Sequence, residues 1–430
     1  MTRVFECTRA ALPLVLVAFA WISSAQNCLA NESDLKEHTI QSTDSISSVS
    51  ILAPHEALKS IPRTVEIYQY DNSPLGDRQP LLLVHGLIGE FHPLFRWKEL
   101  AQYLSRDQAF QHRYKIYLVR YNSHAPLKKI TESFDVALRK MAPAGGLTIV
   151  AISMAGTIVR NAMRDPAVDQ SISRVITLGS FFRGSPLFCP DWMQQSIRKR
   201  HLSPLVRVDR SLGYKLYFAG HKNLLLDYGW DNVDGQRPAA RLSQGRADLE
   251  VAPNSPNQTP LAAAQQQPGD HKIVVYAGYL HNQYFPHPHG GVHALLFSPI
   301  AFFWTTFPAH SRREHPALRF LNQIIAEAIP GATDTSNILY PLNDGISPIS
   351  SSLLLSNDFV AHSDFRNRAV LDDIGTHSYA KKARLFENAD HLTFIEGHRR
   401  IRSSADISDV LSVTEKPRSM FAWILKDLLE

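Results

Sequence analysis

The feature that most constrains the fold is a series of short, continuous apolar runs separated by segments with helical spacing. Residues 81–84 and 147–152 are two such runs, and runs of this length are typical of strands buried on both faces of a parallel sheet. Between them, one helical face is marked by Ile130, Phe134, Ala137, Leu138 and Met141. Strands that alternate with helices predict an α/β fold, with a mostly parallel central sheet flanked by helices.

The same alternation continues along the chain and is interrupted twice. Further strand-like runs cover residues 64–70, 115–121, 175–178, 272–280 and 383–388. Helical spacing recurs at Leu94, Trp97, Ala101 and Leu104. A second helix is predicted from the end of the 147–152 run to Asp165-Pro166, and a C-terminal helix begins near Pro417. Residues 185–270 and 281–336 break the rhythm, so we expect them to be two long insertions that form a cap or lid on one domain of residues 63–430.

The N-terminus has the pattern of an export signal. Arg3 and Arg9 precede thirteen apolar residues, 10–22, a run too short to cross a bilayer, which needs about twenty. A small-x-small site ends at Ala25, and Ala30 is a second option. We therefore expect a signal peptide at 1–25, with an uncleaved anchor as the alternative.

Removal of this signal would leave a polar, Ser-rich arm ahead of the folded domain. Residues 31–62 have this composition, and we expect them to be flexible. An exported chain would be periplasmic or secreted if the organism is bacterial.

Charge and cysteine content exclude some classes of protein. The net charge is only +5 over 430 residues. The nearest thing to a basic patch, at 198–201, accompanies no binding motif, so no nucleic-acid partner is expected. Three cysteines are too few for a disulfide scaffold. Cys28 and Cys189 can pair, but a free or buried thiol is equally compatible with the sequence.

Four local signals carry the chemistry, and the first two follow buried strands. The sequence VHGLIG follows the 81–84 run, where Gly86 and Gly89 allow the backbone to approach a ligand closely. Ser153 lies between a strand and a helix, on a sharp turn that would expose its hydroxyl at the carboxyl edge of the sheet. The flanking small residues are Ala151 and Ala155. Each signal has a plainer alternative, a tight turn and a helix cap respectively.

The other two signals follow later strand-like segments. Asn343-Asp344-Gly345 has the composition of a turn, and His391 comes directly after the run 383–388. Taken alone, each is an ordinary turn or surface residue. Together with Ser153 they give the order Ser, Asp, His, each just past a predicted strand, which is the chain order of the α/β-hydrolase triad.

On these motifs the chain resembles the α/β-hydrolase superfamily, and within it secreted bacterial lipases and esterases. The matching segments are VHGLIGE, AISMAGTIVR, LGSFFRGSP, NDGISPISS and ENADHL, which cover about residues 64–185 and 272–400. The resemblance implies an α/β-hydrolase fold. It also implies that Ser153 is the nucleophile, Asp344 the acid and His391 the base. The oxyanion hole would then be formed by the backbone N–H groups of Leu87 and Met154.

The function implied is hydrolysis of carboxylic esters, with lipid or acyl esters as substrates and an acyl-enzyme intermediate. Two alternatives remain open. An acyltransferase would use the same triad, and a catalytically inactive hydrolase fold would bind lipid or protein. No cofactor is expected. The expected partner is a lipid or small ester, with transient contact to a membrane or lipid surface, and the oligomeric state is left open.

The sequence offers other candidates for the acid and the base. The histidines near the last strand include His362, His377 and His398, and the alternative acids are Asp358 and Asp364. A loop carries His281, His287, His289 and His293. Their spacing matches no regular ligand pattern, so no metal is expected there, and calcium cannot be assigned from scattered oxygen ligands.

The second insertion contains a strongly apolar stretch at residues 294–307. It lies between a strand and Asp344, so both of its ends must be near the carboxyl edge of the sheet. Phe303 and Trp304 are therefore candidate substrate-binding residues that line or cover an acyl site. A helix packed on the core is an equally good interpretation.

Overall fold

A single sheet lies at the centre of the computed structural model, which describes residues 50–51, 62–87, 89–123, 125–141, 146–185, 266–280, 322, 325–326, 340–367, 369–387, 389–396, 407–409 and 419–430. Its described strands are β1 (Ser50–Ile51), β2 (Glu66–Gln69), β3 (Gln79–Val84), β4 (Tyr114–Arg120), β5 (Leu147–Ile152), β6 (Ile172–Leu178), β7 (Ile273–Tyr279), β8 (Lys382–Glu387) and β9 (Ile407–Asp409). Their spatial order is β1-β2-β4-β3-β5-β6-β7-β8-β9.

The central strands are parallel, as the sequence predicts. The neighbours β4, β3, β5, β6, β7 and β8 all pair in parallel. Only β2 and β9 run antiparallel to their inner neighbours. The apolar runs in β3 and β5 are almost fully buried, because helices cover both faces of a parallel sheet. The predicted fold class is confirmed, and the carboxyl ends of β3, β5, β6 and β7 meet at one edge.

Helices pack in two groups. The described helices are α1 (Lys98–Leu104), α2 (Gln108–Arg113), α3 (Leu127–Met141), α4 (Met154–Ala162), α5 (Pro166–Ser171), α6 (Ile349–Ser352), α7 (Asn357–His362), α8 (Val370–Asp373) and α9 (Met420–Leu429). Helix α9 contacts α1 and α2, while α3 contacts α4 and α5. Helix α4 starts directly after Ser153 and packs on β5 and β6, so its N-terminus faces the carboxyl edge of the sheet.

The segment before α1 differs from the helical spacing read from the sequence. Leu94 and Phe95 have φ values of 45° and 53°, in the left-handed region, and α1 begins only at Lys98. Left-handed backbone costs about 1–2 kcal/mol per residue. The turn nevertheless buries Phe95 and Trp97 completely, and that burial accounts for its persistence.

A buried ion pair fixes the C-terminal helix to the sheet. Asp427 of α9 accepts hydrogen bonds of 2.6 Å from both Nε and Nη2 of Arg384 on β8. It also accepts a hydrogen bond from the hydroxyl of Tyr276 on β7. The Arg384 guanidinium lies 4.1 Å from the Trp423 ring centroid. The helix therefore carries charge as well as apolar surface into the core.

Several predicted features fall outside the described residues. They are the signal peptide, most of the arm, the three cysteines, the basic cluster, the loop histidines, Phe303, Trp304 and nearly all of both insertions. Within the described part of the chain, no helix is long and apolar enough to span a membrane. The same residues contain no grouping of three or more His, Cys, Asp or Glu side chains arranged to hold a metal ion.

Candidate active site

Ser153 occupies a strained turn between β5 and α4. Its φ of 59° and ψ of −129° lie outside the usual regions for a residue with a side chain, a conformation that costs about 1–3 kcal/mol and occurs mainly where function requires it. The backbone N–H of Ser153 donates to the Leu178 carbonyl at 2.9 Å, which ties the turn to the end of β6. Its side chain makes no capping hydrogen bond to α4, so the plainer interpretation of a helix cap does not hold.

The close packing expected around this turn centres on Gly156. A Cβ placed on Gly156 would lie 2.1 Å from Oγ and 2.6 Å from Cβ of Ser180. The small residues Ala151 and Ala155, which the sequence places on either side of the serine, are both fully buried. Gly156 therefore adds a third small residue to this turn.

Asp344 and His391 form a buried pair at the same edge. His391 Nδ1 lies 2.8 Å from Asp344 Oδ2, and the side chains are 6% and 1% exposed. The backbone also joins them, because the His391 N–H donates to the Asp344 carbonyl at 2.9 Å. The carboxylate therefore orients the ring so that Nε2 faces away from it.

The turn that carries Asp344 is fixed by its own hydrogen bonds. Asp344 Oδ1 accepts from the N–H groups of Ile346 at 2.9 Å and Ser347 at 2.6 Å. The Leu280 N–H, just past β7, donates to the Asn343 carbonyl at 3.1 Å. Asn322 Nδ2 donates to the same carbonyl at 2.7 Å. With one oxygen held by the turn, Asp344 has the other available for His391.

One glycine lies between the serine turn and the acid–histidine pair. Gly179 follows Leu178, the acceptor for Ser153, and a Cβ placed on it would lie 2.9 Å from Asp344 Oδ2 and 3.0 Å from His391 Nδ1. Its φ is +54°, a value that glycine adopts without strain. The structure thus brings Ser153, Asp344 and His391 to the same end of β6.

The alternative acids and histidines have other environments. Asp358 is 91% exposed and lies 3.2 Å from His362, and Asp364 pairs with Arg366 at 2.5 Å. The His377 ring stacks on Phe359 with centroids 4.2 Å apart. His398 lies outside the described residues. Among the acids weighed, only Asp344 contacts His391.

The Gly-rich loop after β3 lies directly against the serine. A Cβ placed on Gly86 would be 2.7 Å from Ser153 Cβ and 3.3 Å from Ser153 Oγ. The Gly86 carbonyl accepts hydrogen bonds from the Gly89 N–H at 3.2 Å and from His85 Nδ1 at 2.7 Å. In a trans peptide the N–H points opposite to the carbonyl. These two bonds therefore fix the direction of the Leu87 N–H, away from His85 and Gly89.

His85 is a neutral donor in this arrangement. The Tyr121 N–H donates to His85 Nε2 at 3.2 Å, which leaves the ring proton on Nδ1 to donate to Gly86. The rings of His85 and Tyr121 stack with centroids 4.2 Å apart. Complete burial lowers the pKa of His85 to about 3, because the buried ring cannot be solvated as a cation.

Met154 supplies a second N–H group beside Ser153. It is the first residue of α4, and the first N–H groups of a helix have no intrahelical acceptor. They also carry the positive end of the helix dipole. Met154 thus adjoins Ser153 in the chain, while Leu87 belongs to the loop after β3 that lies against the serine.

Two residues within the motifs, Gly179 and Glu90, have contacts at the site that the sequence alone does not predict. Gly179 stands in LGSFFRGSP and touches the Asp344–His391 pair; a glycine directly after a strand end was the available signal. Glu90 ends VHGLIGE and is completely buried. The available signal for Glu90 was its position, in a Gly-rich loop directly after a buried strand. Carboxylates are rarely buried without a partner, so an acidic residue at such a position indicates a specific contact.

Comparisons with known proteins give remote structural similarity alone. No family model matches the chain, and no curated protein matches it either. A lipase from Bacillus licheniformis, BlEst2 in its mature form, is 14% identical with a TM-score of 0.35, covering 78% of this chain and 94% of the lipase. A hydrolase from Oleispira antarctica is 12% identical with a TM-score of 0.28, over 54% and 81% of the two chains. A carboxylesterase from Nitrososphaera gargenis is 16% identical with a TM-score of 0.27, over 51% and 79%.

Proposed function

We propose that this chain is a serine hydrolase of carboxylic esters, with Ser153 as nucleophile, His391 as base and Asp344 as the acid that orients it. The observation that carries the proposal is the strained Ser153 turn, which shares the end of β6 with a buried Asp344–His391 hydrogen bond. A strained serine between strand and helix is typical of nucleophiles in α/β hydrolases.

The reaction proceeds in two steps. Ser153 Oγ attacks the ester carbonyl carbon while His391 Nε2 takes the hydroxyl proton. That proton then passes to the leaving alcohol, and the acyl group remains on Ser153. Water attacks the acyl-enzyme with His391 again as base, which releases the carboxylic acid and restores the serine.

The N–H groups of Leu87 and Met154 bind the oxyanion in both steps. The two hydrogen bonds to the Gly86 carbonyl hold the Leu87 N–H before substrate arrives, so little reorganisation is needed when charge develops. One such donor contributes about 3–4 kcal/mol to transition-state stabilisation in related chemistry.

Hydrolysis of an ester series from acetyl to palmitoyl tests the proposal, with wild type beside Ser153→Ala. We expect wild-type turnover and its loss in the variant, with the fold unchanged by circular dichroism. A fluorophosphonate probe should label wild type at Ser153. Equal turnover by both proteins, or wild type that neither hydrolyses nor is labelled, contradicts the proposal, and the second result favours a binding module. Acylated alcohol in place of free acid indicates an acyltransferase.

Lipid or acyl esters are the proposed substrates, with Phe303 and Trp304 as the proposed wall or lid of the acyl site. A buried chain contributes roughly 0.8 kcal/mol per CH₂. Replacing both residues by Ala should therefore reduce turnover of long-chain esters and preserve that of acetyl esters. Equal loss on both, with a lower Tm, indicates a core helix.

Export is proposed on the N-terminal pattern alone. The exported protein should begin after Ala25 or Ala30 on N-terminal sequencing. A start at Met1 contradicts cleavage and favours the anchor.

A further inference from the structure

A buried carboxyl group lies beneath the loop that carries Gly86 and Leu87. Glu90 is completely buried, and its Oε1 accepts hydrogen bonds from the N–H of Ser123 at 2.9 Å and from its hydroxyl at 2.8 Å. Ser123 belongs to the loop after β4, the parallel neighbour of β3. One oxygen of Glu90 therefore joins two adjacent loops at the carboxyl edge of the sheet.

The other oxygen faces the ring that holds the Gly86–Leu87 peptide. Glu90 Oε2 lies 3.9 Å from His85 Nδ1 and is buried without a hydrogen-bond partner among the described residues. The Nδ1 proton is already donated to the Gly86 carbonyl at 2.7 Å. Because Nδ1 has a single proton, Oε2 and the Gly86 carbonyl are potential competitors for it.

The protonation state of Glu90 decides that competition. A carboxylate accepts hydrogen bonds about twice as strong as those of a neutral carbonyl. Ionised, Oε2 would draw the His85 proton away from Gly86, and the peptide would lose one of its two donors. Protonated, Glu90 is a weaker acceptor and leaves the His85–Gly86 hydrogen bond in place.

We propose that Glu90 is a positioning residue for the oxyanion loop and that it acts as a neutral carboxylic acid, keeping the Leu87 N–H directed at the developing oxyanion. The inference rests on the proposed function, because it concerns the same reaction. The role of Glu90 differs from that of the catalytic residues, since Glu90 contacts His85 and Ser123 rather than the reacting atoms.

The surroundings of Glu90 favour its neutral form below about pH 7. Burial raises its pKa from 4.5 to about 7, although hydrogen bonds from its own backbone N–H and from Ser123, and the charge of Arg120, partly oppose the shift. Arg120, at the end of β4, also lies 3.4 Å from Glu66. Among the described residues, this side also carries His85, which is neutral, and Tyr121, whose pKa is raised well above its ordinary value by burial. Arg96, whose charge acts on His85, lies 2.6 Å from His92.

Kinetics of three proteins test the proposal on an acetyl ester: wild type, Glu90→Gln and Glu90→Ala. We expect wild-type kcat to fall as pH rises above about 7, and Glu90→Gln to lack this alkaline decline, because its amide cannot ionise. Glu90→Ala should lose about 10–100-fold in kcat with little change in KM, since a misdirected donor affects the transition state alone. Restored kcat in Glu90→Gln distinguishes positioning from mere space filling.

Glu66→Gln is the matched control. It removes a carboxylate from the same arginine, at a partly exposed site on β2 where Glu66 also accepts a hydrogen bond from the Tyr68 hydroxyl, so it should keep the alkaline decline of wild type. An alkaline decline that persists in Glu90→Gln, or a Glu90→Ala variant with wild-type kcat, overturns the proposal.

Infrared spectroscopy provides a readout that does not require activity. Wild type at about pH 6 should show the carbonyl stretch of a buried protonated carboxyl, and Glu90→Gln should lack it. If wild type shows this band but neither it nor any variant hydrolyses esters, the proposed function alone is overturned. Esterase activity that requires Ser153, without the band, would overturn the role of Glu90 alone.

Discussion

His391 and Asp344 are joined by two hydrogen bonds. The side-chain bond from Nδ1 to Oδ2 is 2.8 Å long, and the His391 N–H donates to the Asp344 carbonyl at 2.9 Å. The backbone bond places His391 beside the turn whatever the charge of the carboxylate. Removing that charge should therefore disturb the orientation and tautomer of the ring more than its position.

Asp344→Asn should accordingly lower kcat by about 10³–10⁴-fold with little loss of stability. His391→Ala should lower kcat by a similar factor. Combining either change with Ser153→Ala should lower kcat no further than Ser153→Ala alone, because the effects of residues that act as a unit are not additive. Ester turnover and Tm, measured together, test both statements.

Asp358→Asn and Asp364→Asn are the controls for the assignment of the acid. Both residues are paired elsewhere, so both variants should retain wild-type turnover. A near-normal Asp344→Asn beside an inactive variant at either control position would show that the acid has been misassigned.

Gly179→Ala should impair the site by steric contact. The added Cβ would lie 2.9 Å from Asp344 Oδ2 and 3.0 Å from His391 Nδ1, closer than ordinary van der Waals contact. We expect kcat to fall about 10–100-fold. Gly76→Ala is the matched control, since Gly76 has nearly the same φ, +55°, with nothing within 4 Å of its added Cβ. Both should cost about 1 kcal/mol of stability through strain. Equal turnover in the two variants would contradict the contact with the pair.

Much of the sheet was predictable because β3, β5 and β7 are short, mainly apolar runs, each with its own local signal. The run 81–84 forms the last four residues of β3, which begins two residues earlier, and the run 147–152 has the same bounds as β5. Ser153 was recognisable because its turn lies between β5 and α4. The choice of Asp344 as the acid, over Asp358 and Asp364, stays a prediction, and the hydrogen bond between Asp344 and His391 is the observation that supports it.

Other features depend on contacts between distant segments, which local patterns do not record. The left-handed turn at Leu94 contains no glycine and depends on the burial of Phe95 and Trp97. Glu90 is a loop residue by sequence, and only the partners His85 and Ser123, on two different strand ends, show that its carboxyl lies beneath the site.

Asp427→Ala should strongly destabilise the fold. It would leave the Arg384 guanidinium, only 2% exposed, without its two hydrogen bonds to the carboxylate. Breaking a buried pair in this way typically costs about 3–5 kcal/mol. Glu430→Gln is the control, because Glu430 pairs with Lys382 at a half-exposed site and should cost less than about 1 kcal/mol. Similar losses in urea unfolding would contradict a structural role for the buried pair.

Glu90 should also make stability depend on pH in a direction opposite to that of most carboxylates. Its pKa is about 7 in the folded protein against an ordinary 4.5, so the folded state holds the proton more tightly. Between these values the folded state binds more protons than the unfolded state, and stability falls as pH rises, by up to about 3 kcal/mol. His85 has the opposite effect between about pH 3 and 6.5, because burial lowers its pKa. That effect is present in wild type and in Glu90→Gln, so it cancels in the difference between them. Urea unfolding at about pH 4 and about pH 8 should show Glu90→Gln gaining on wild type at the higher pH. A difference that does not change with pH would mean that Glu90 ionises alike in the folded and unfolded states.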